Sequence, residues 1–382
     1  MTVRGGVRSG ARGIVILDHL RWLAAILVAL SHVRNHLIVD FSDVQSPGIF
    51  ARLFYFAAGY GHVAVLIFFV ISGFLVGGKL LELLSSPDIA TGWRHFLVDR
   101  FTRIFIVLWP SLLVAGALLL FIFTVAPHVS LVTESNWDSG WKDSFTSDLS
   151  VRKWLLNALL LNELVVPTVF TDGVLWSLAY EWTYYMLGLA VVLVIRRHWT
   201  VGSIAFLGYA GLLFVLALLN KPELLVAGGV WVMGILARIV SDRRLLKGTI
   251  LWLACLALVS VVLVYARVHP LHDYVIGAPL ALMLAHARWH DWRMLPGIGH
   301  WLSEFSYSLY TTHAPVIGFA MIIAQYMGGF PARMAFGVSS VGWVLALLLG
   351  TLVFSKLFAM VTEENTAKVR RRLWRLVSSG SR

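Results

Sequence analysis

Runs of apolar residues long enough to cross a bilayer recur along this chain from end to end, and no other feature constrains its fold as tightly. A spanning helix needs about 20 residues and satisfies its own backbone hydrogen bonds, which lipid cannot do. Ten spans can be placed, at approximately 14–38, 55–79, 104–126, 172–195, 201–219, 224–240, 249–266, 272–287, 300–325 and 335–359. Composition agrees: 59% hydrophobic residues against 13% charged, with a mean hydropathy of +0.80, excludes an ordinary soluble domain. The segment 151–166, "VRKWLLNALLLNELVV", is apolar but short and flanked by polar residues, so it is expected to be an interfacial or re-entrant helix. The expected fold is an all-α integral membrane bundle of about ten transmembrane helices.

Orientation follows from the basic residues, which accumulate in cytoplasmic segments. With the N-terminus inside, seven of the 31 Lys and Arg lie outside (Arg52, Lys142, Arg152, Lys153, Lys221, Arg267, Arg333), two lie in the first helix (Arg21, Arg34) and the other twenty-two are cytoplasmic. Both termini are therefore expected in the cytoplasm. The net charge of +11 reads as a topology signal and an attraction to anionic lipid, so no nucleic-acid partner is needed. The chain divides into a cytoplasmic segment 1–13, a membrane domain 14–360 and a basic cytoplasmic tail 361–382, whose "KVRRRLWR" reads as a stop signal on the inner leaflet.

Several classes drop out. The sole cysteine, Cys255, sits in an apolar run, which suits neither a disulfide nor a thiol nucleophile. No cleavage pattern precedes the first helix, whose flank and length suit a retained anchor. There is no P-loop, Gly-rich dinucleotide fingerprint, HExxH or internal repeat. The largest polar insertion, 127–150, is expected outside; its Trp137 and Trp141 could stack on sugar rings, although interfacial tryptophan is the commoner reason for such residues.

The first helix carries Asp18, Arg21 and His32 in an otherwise apolar run. Arg21 and His32 are eleven residues apart, three turns plus about 20°, so they share a face at depths differing by roughly 16 Å. Asp18, three residues before Arg21, can pair with it near the cytoplasmic surface. Ionisable groups in a membrane usually face a bundle interior or an aqueous path; taken alone, Arg21 could equally snorkel to the headgroups and His32 could be a hydrogen-bonded core residue. His32 and His36 have the spacing of two metal ligands, but no third ligand is evident, and no metal is expected.

Other spans add to the pattern. "FFVISGFLV" places Ser72 and Gly73 where small residues let helices pack closely. "VDRFTRIFIVLWP" sets Arg100 and Arg103 one turn apart at a cytoplasmic mouth, as a phosphate grip or as topology charges. "LWSLAYEWTYYML" buries Glu181 among aromatics, and "SEFSYSLYTTHAP" puts Ser306, Tyr310 and His313 on one helical face at i, i+4, i+7.

In this order these segments resemble the acyltransferase 3 family of integral membrane acyltransferases, over residues 14 to about 325, with the last helix matching in character only. Two departures are visible: His19 stands where a small residue is more usual, and the stripe reads "SLYTTH" where a leucine often follows the second tyrosine. No SGNH-type domain follows the tenth span, so the membrane unit is expected to act alone or with partners. The resemblance implies transfer of an acyl group, commonly acetyl from acetyl-CoA, to a hydroxyl of a glycan or lipid-linked glycan at the bacterial inner membrane. On that reading Asp18, Arg21, Arg100 and Arg103 hold the acyl-CoA donor. His32 is the general base, or forms an acyl-histidine, while Glu181 and His313 orient it or bind sugar and Tyr310 donates to the oxyanion. Small residues on several helices would also allow copies to associate. Two other classes share parts of this pattern. A proton-coupled transporter fits the buried His, Glu and Arg but lacks an internal repeat. A glycan ligase would want a basic acceptor site on the outer loops, which in this chain are poor in basic residues.

Overall fold

The computed structural model of the protein describes residues 14–127, 148–242, 256–262, 264–265, 273–287, 296–328, 331 and 333–379. The main helices are α1 (Ile14–Leu37), α2 (Ile49–Ala57), α3 (Gly61–Leu84), α4 (Ile89–Thr124), α5 (Val151–Ala158), α6 (Trp176–Ile195) and α7 (Val201–Asn220). They continue with α8 (Pro222–Asp242), α9 (Asp273–Ala287), α10 (Pro296–Ser303), α11 (Ser306–Gly328), α12 (Val338–Val361) and α13 (Thr366–Ser379). Among the described residues the β pairing is confined to two isolated bridges, Ile38 with Met334 and Asn162 with Val166.

Eight stretches of the described residues are long and apolar enough to cross a membrane, and α9 is a shorter apolar helix of 15 residues. Leu113, Leu120, Val191, Val201 and Leu219 are exposed on these helices, as lipid contact requires. The protein is an all-α, multi-pass membrane protein. Half of the expected span 249–266 lies outside the described residues, as do Cys255, Trp137, Trp141 and the segment 1–13.

Several boundaries differ from the hydropathy pattern for local reasons. The second expected span, 55–79, is two helices, α2 and α3, parted at Ala58–Tyr60 where Gly59 and Gly61 flank a tyrosine. The third, 104–126, is only the later part of α4, a 36-residue helix. At 1.5 Å per residue α4 is roughly 54 Å long against a hydrocarbon core of about 30 Å. Hydropathy stops at "VDRFTR"; the helix does not, because Asp88 caps it by accepting from the Thr91 N–H at 3.0 Å and nothing after it breaks a helix before Pro110. The ninth expected span, 300–325, is interrupted at Glu304–Phe305 between α10 and α11. In 151–166, α5 gives way to a loop in which Leu160 and Glu163 have positive φ. Buried Asn157 ties this loop down, donating to the Pro167 carbonyl at 3.2 Å and accepting from the Val169 N–H at 3.1 Å.

Helix α3 is the hub, packed against α1, α6, α8 and α9. Association in lipid depends on close van der Waals approach, and the sequence supplies it at Gly73 and Gly234. A Cβ on Gly73 would sit 1.9 Å from the Trp231 carbonyl oxygen, and one on Gly234 2.2 Å from that of Val70. At the other end of the chain the expected basic tail has its own place against the bundle. It is the helix α13, fastened to α4 by Arg370, 2.5 Å from Asp99, and by Trp374, whose ring centroid lies 3.9 Å from that of His95.

Candidate active site

A cavity of about 650 Å³ lies among α1, α3, α4, α6 and α10 to α12, a size that suits a cofactor-like molecule. Helical periodicity brings its walls together. α1 contributes Asp18 and Arg21; α3 contributes Phe68, Phe69, Ser72, Leu75 and Val76 from one face; α4 contributes Arg100, Arg103 and Ile104. From α6 come Ser177, Glu181 and Tyr185, each one turn from the next, and from α11 Ser306, Tyr307 and Tyr310. Lys356, Glu363 and Glu364 close the basic end. Six of the eight residues singled out from the sequence thus meet around one space.

Its charges are largely paired. Arg100 bonds to Asp99, which also accepts from Lys79 at 2.7 Å and Arg370 at 2.5 Å. Arg103 lies 2.9 Å from Glu363, and Lys356 lies 2.7 Å from Glu364. The expected pairing of Asp18 with Arg21 is not made: α10 packs beside α1 and brings His300 Nδ1 to 3.4 Å from Asp18. Arg21 forms no ion pair among the described residues, which leaves it as the uncommitted cation of the cavity.

The deep wall is hydrogen-bonded. Tyr185 donates to Glu181 and shares a bond of 3.0 Å with Ser72, whose Oγ accepts from Trp231 Nε1 at 3.2 Å. Tyr310 and Ser177 hydroxyls are 2.5 Å apart, and the Tyr310 ring packs edge-on against Phe68, centroids 5.4 Å apart.

His32 and His313 lie beyond this wall and outside the cavity lining. The Tyr310 ring meets that of His313 at 5.9 Å, and His313 meets His32 at 5.0 Å. His313 Nδ1 is 3.1 Å from the Leu309 carbonyl, so that nitrogen is the donor, and Nε2 keeps its lone pair, buried and without a hydrogen-bond partner among the described residues. Glu181 is not hydrogen-bonded to either histidine; it belongs to the arginine-lined space. His36 meets His32 edge-on with centroids 6.1 Å apart, and among the described residues no group of three or more His, Cys, Asp or Glu is placed to hold a metal ion.

Sequence reasoning overlooked four contributors. Tyr185 and Ser177 are one turn to either side of Glu181 and could have been found by that spacing. Glu363 lay within a segment read as tail. Asp99 was masked by its basic neighbours.

A family model described as an acyltransferase domain, acyltransferase 3, matches residues 14–360. Comparison with curated proteins and with solved structures found no match. The match takes in α1 through most of α12 and every residue of the arginine cavity except the two glutamates at its basic mouth, and the chain accordingly belongs to the acyltransferase 3 family.

Proposed function

We propose that this membrane acyltransferase takes its acyl group from a cytoplasmic acyl-CoA, acetyl-CoA foremost, and delivers it to a hydroxyl of an exported or cell-surface glycan at the bacterial inner membrane. One observation carries the reading. A cavity holding an uncommitted arginine, Arg21, begins at the basic end of the bundle and ends at Tyr310, one ring contact from His313 and two from His32.

In this mechanism Arg21 meets the donor's phosphate or pantetheine oxygens, and the thioester lies at the Tyr310 end. The acceptor hydroxyl approaches from the opposite side. His32 removes its proton as the oxygen attacks the thioester carbon, and Tyr310 donates to the oxygen that becomes negative. Collapse breaks the carbon–sulfur bond, and the proton returns from His32 to the thiolate, giving free CoA and the ester. His313, held by Leu309 with Nε2 unpartnered, positions His32 and can accept its proton. Because the Tyr310–Ser177 pair stands between cavity and histidines, that bond must loosen for the thioester to reach His32.

The test is CoA release from acetyl-CoA by purified protein, with and without glycan-bearing membrane extract. Release that needs the extract and disappears in His32→Ala supports the reading. Release that survives in His32→Ala removes His32 from the chemistry, and folded protein that neither binds nor cleaves any acyl-CoA removes the donor.

A further inference from the structure

The central cavity is poorly supplied with positive charge. Arg21, Arg100, Arg103 and Lys356 line it, but so do five carboxylates, and three of the four cations are already in ion pairs. A donor bearing a diphosphate and a phosphomonoester would find only Arg21 uncommitted there.

The missing cations are next door. A second cavity, about 700 Å³, lies between the basic ends of α3 and α4 and the helix α13, and is lined by Lys79, His95, Arg370, Arg371, Trp374 and Arg375. Both of its carboxylates are engaged: Glu82 lies 3.2 Å from Arg238, and Asp99 holds Lys79, Arg100 and Arg370. Arg371 and Arg375 are exposed, share a face of α13 at i, i+4, and make no ion pair among the described residues. Trp374, its ring tilted against that of His95, offers an aromatic wall beside them. Asp99 lines this cavity while its partner Arg100 lines the central one, so this ion pair borders both spaces.

We propose that the second cavity binds the phosphorylated nucleotide end of the acyl-CoA donor. Arg371 and Arg375 grip its phosphomonoester, the purine lies against Trp374, and the pantetheine arm passes the Asp99–Arg100 pair into the central cavity. The inference rests on the donor reading above and extends it to a helix beyond residue 360, where the family match ends.

The experiment compares binding of acetyl-CoA, 3′-dephospho-acetyl-CoA and acetyl-pantetheine to the full-length protein in neutral detergent, for wild type and for Arg371→Ala/Arg375→Ala. Wild type should prefer acetyl-CoA over the dephospho compound by about tenfold or more, as expected for charge-assisted phosphate contacts. The double variant should lose that preference while binding acetyl-pantetheine as before, and Arg371→Lys/Arg375→Lys should recover part of it. Equal wild-type affinity for the two nucleotides, or a preference that survives in the alanine variant, overturns this inference and leaves the donor reading standing. No acetyl-CoA binding by folded wild type overturns both. Repeating the comparison in bilayers with and without phosphatidylglycerol identifies the competing source of phosphate: a variant that loses only a lipid-dependent stabilisation, with its nucleotide preference intact, assigns the arginines to a lipid headgroup and also overturns the inference.

Discussion

The rings of His32 and His313 meet edge to face with centroids 5.0 Å apart, one from α1 and the other from α11, and neither borders the arginine-lined cavity. The polar site thus has two compartments joined through Tyr310.

That division predicts separable defects. His32→Ala should lower the rate of CoA release by about 10²-fold or more, the range for loss of a general base, with acetyl-CoA affinity unchanged. Single-turnover kinetics alongside equilibrium binding checks this; weakened donor binding of similar size would place His32 in the donor compartment instead.

Arg21→Ala should produce the opposite pattern. As the uncommitted cation of the cavity, Arg21 is expected to contribute a charge-assisted contact of about 1.5–3 kcal/mol, so the donor Kd should rise at least about tenfold. Thermal unfolding read with and without acetyl-CoA reports it directly, because a ligand that binds only the folded state raises Tm. Undiminished protection in the variant would contradict a donor-binding role.

Glu363 is 5% exposed and accepts from the N–H and hydroxyl of Ser308, at 2.9 and 3.0 Å, while facing Arg103. Removing it strands a buried N–H at the start of α11 and leaves Arg103 without its counter-charge. Glu363→Ala should cost about 2 kcal/mol, and Glu363→Gln, which still accepts from Ser308, less. Denaturation in detergent ranks the two; equal losses would mean that charge, and not the Ser308 contacts, sets the cost.

Gly73→Ala tests the helix crossing. Alanine is the better helix former in isolation, but here the added methyl would meet the Trp231 carbonyl, a backbone atom that cannot swing aside. The expected result is a loss of about 1–3 kcal/mol. Gly208→Ala, on α7 where nothing lies within 4 Å of the added atom, should be neutral or mildly stabilising.

The sequence revealed the bundle because apolar runs have few alternatives in lipid, and it revealed Arg21, Arg100, Arg103, Glu181 and Tyr310 because charge and helical periodicity within a span are local properties. Partnerships across the chain were not local. Asp18 and Arg21 are neighbours on one helix, yet His300, 282 residues away, takes the aspartate. Arg100 and Arg103 read in sequence as a phosphate grip or as topology charges, and neither pattern carries the Asp99 and Glu363 contacts that the fold sets against them. The extent of α4 was missed because hydropathy records where lipid ends, whereas a helix ends where its hydrogen bonding is broken or capped.

The pairing of these arginines bears on how the protein is threaded into its membrane. Orientation is set while the chain is being inserted, when Lys and Arg near the ends of spans count heavily and Asp and Glu contribute little. At that stage Glu363 is separated from Arg103 by most of the chain still to be made, and Arg370 has not yet appeared to meet Asp99. Arg103 is therefore read as a bare charge first and neutralised afterwards, so the same side chain counts toward topology during insertion and lines the central cavity in the folded protein. Replacing Arg103 would confound misinsertion with lost chemistry, whereas substituting its late-arriving partner, Glu363, alters the cavity after its orientation has been decided.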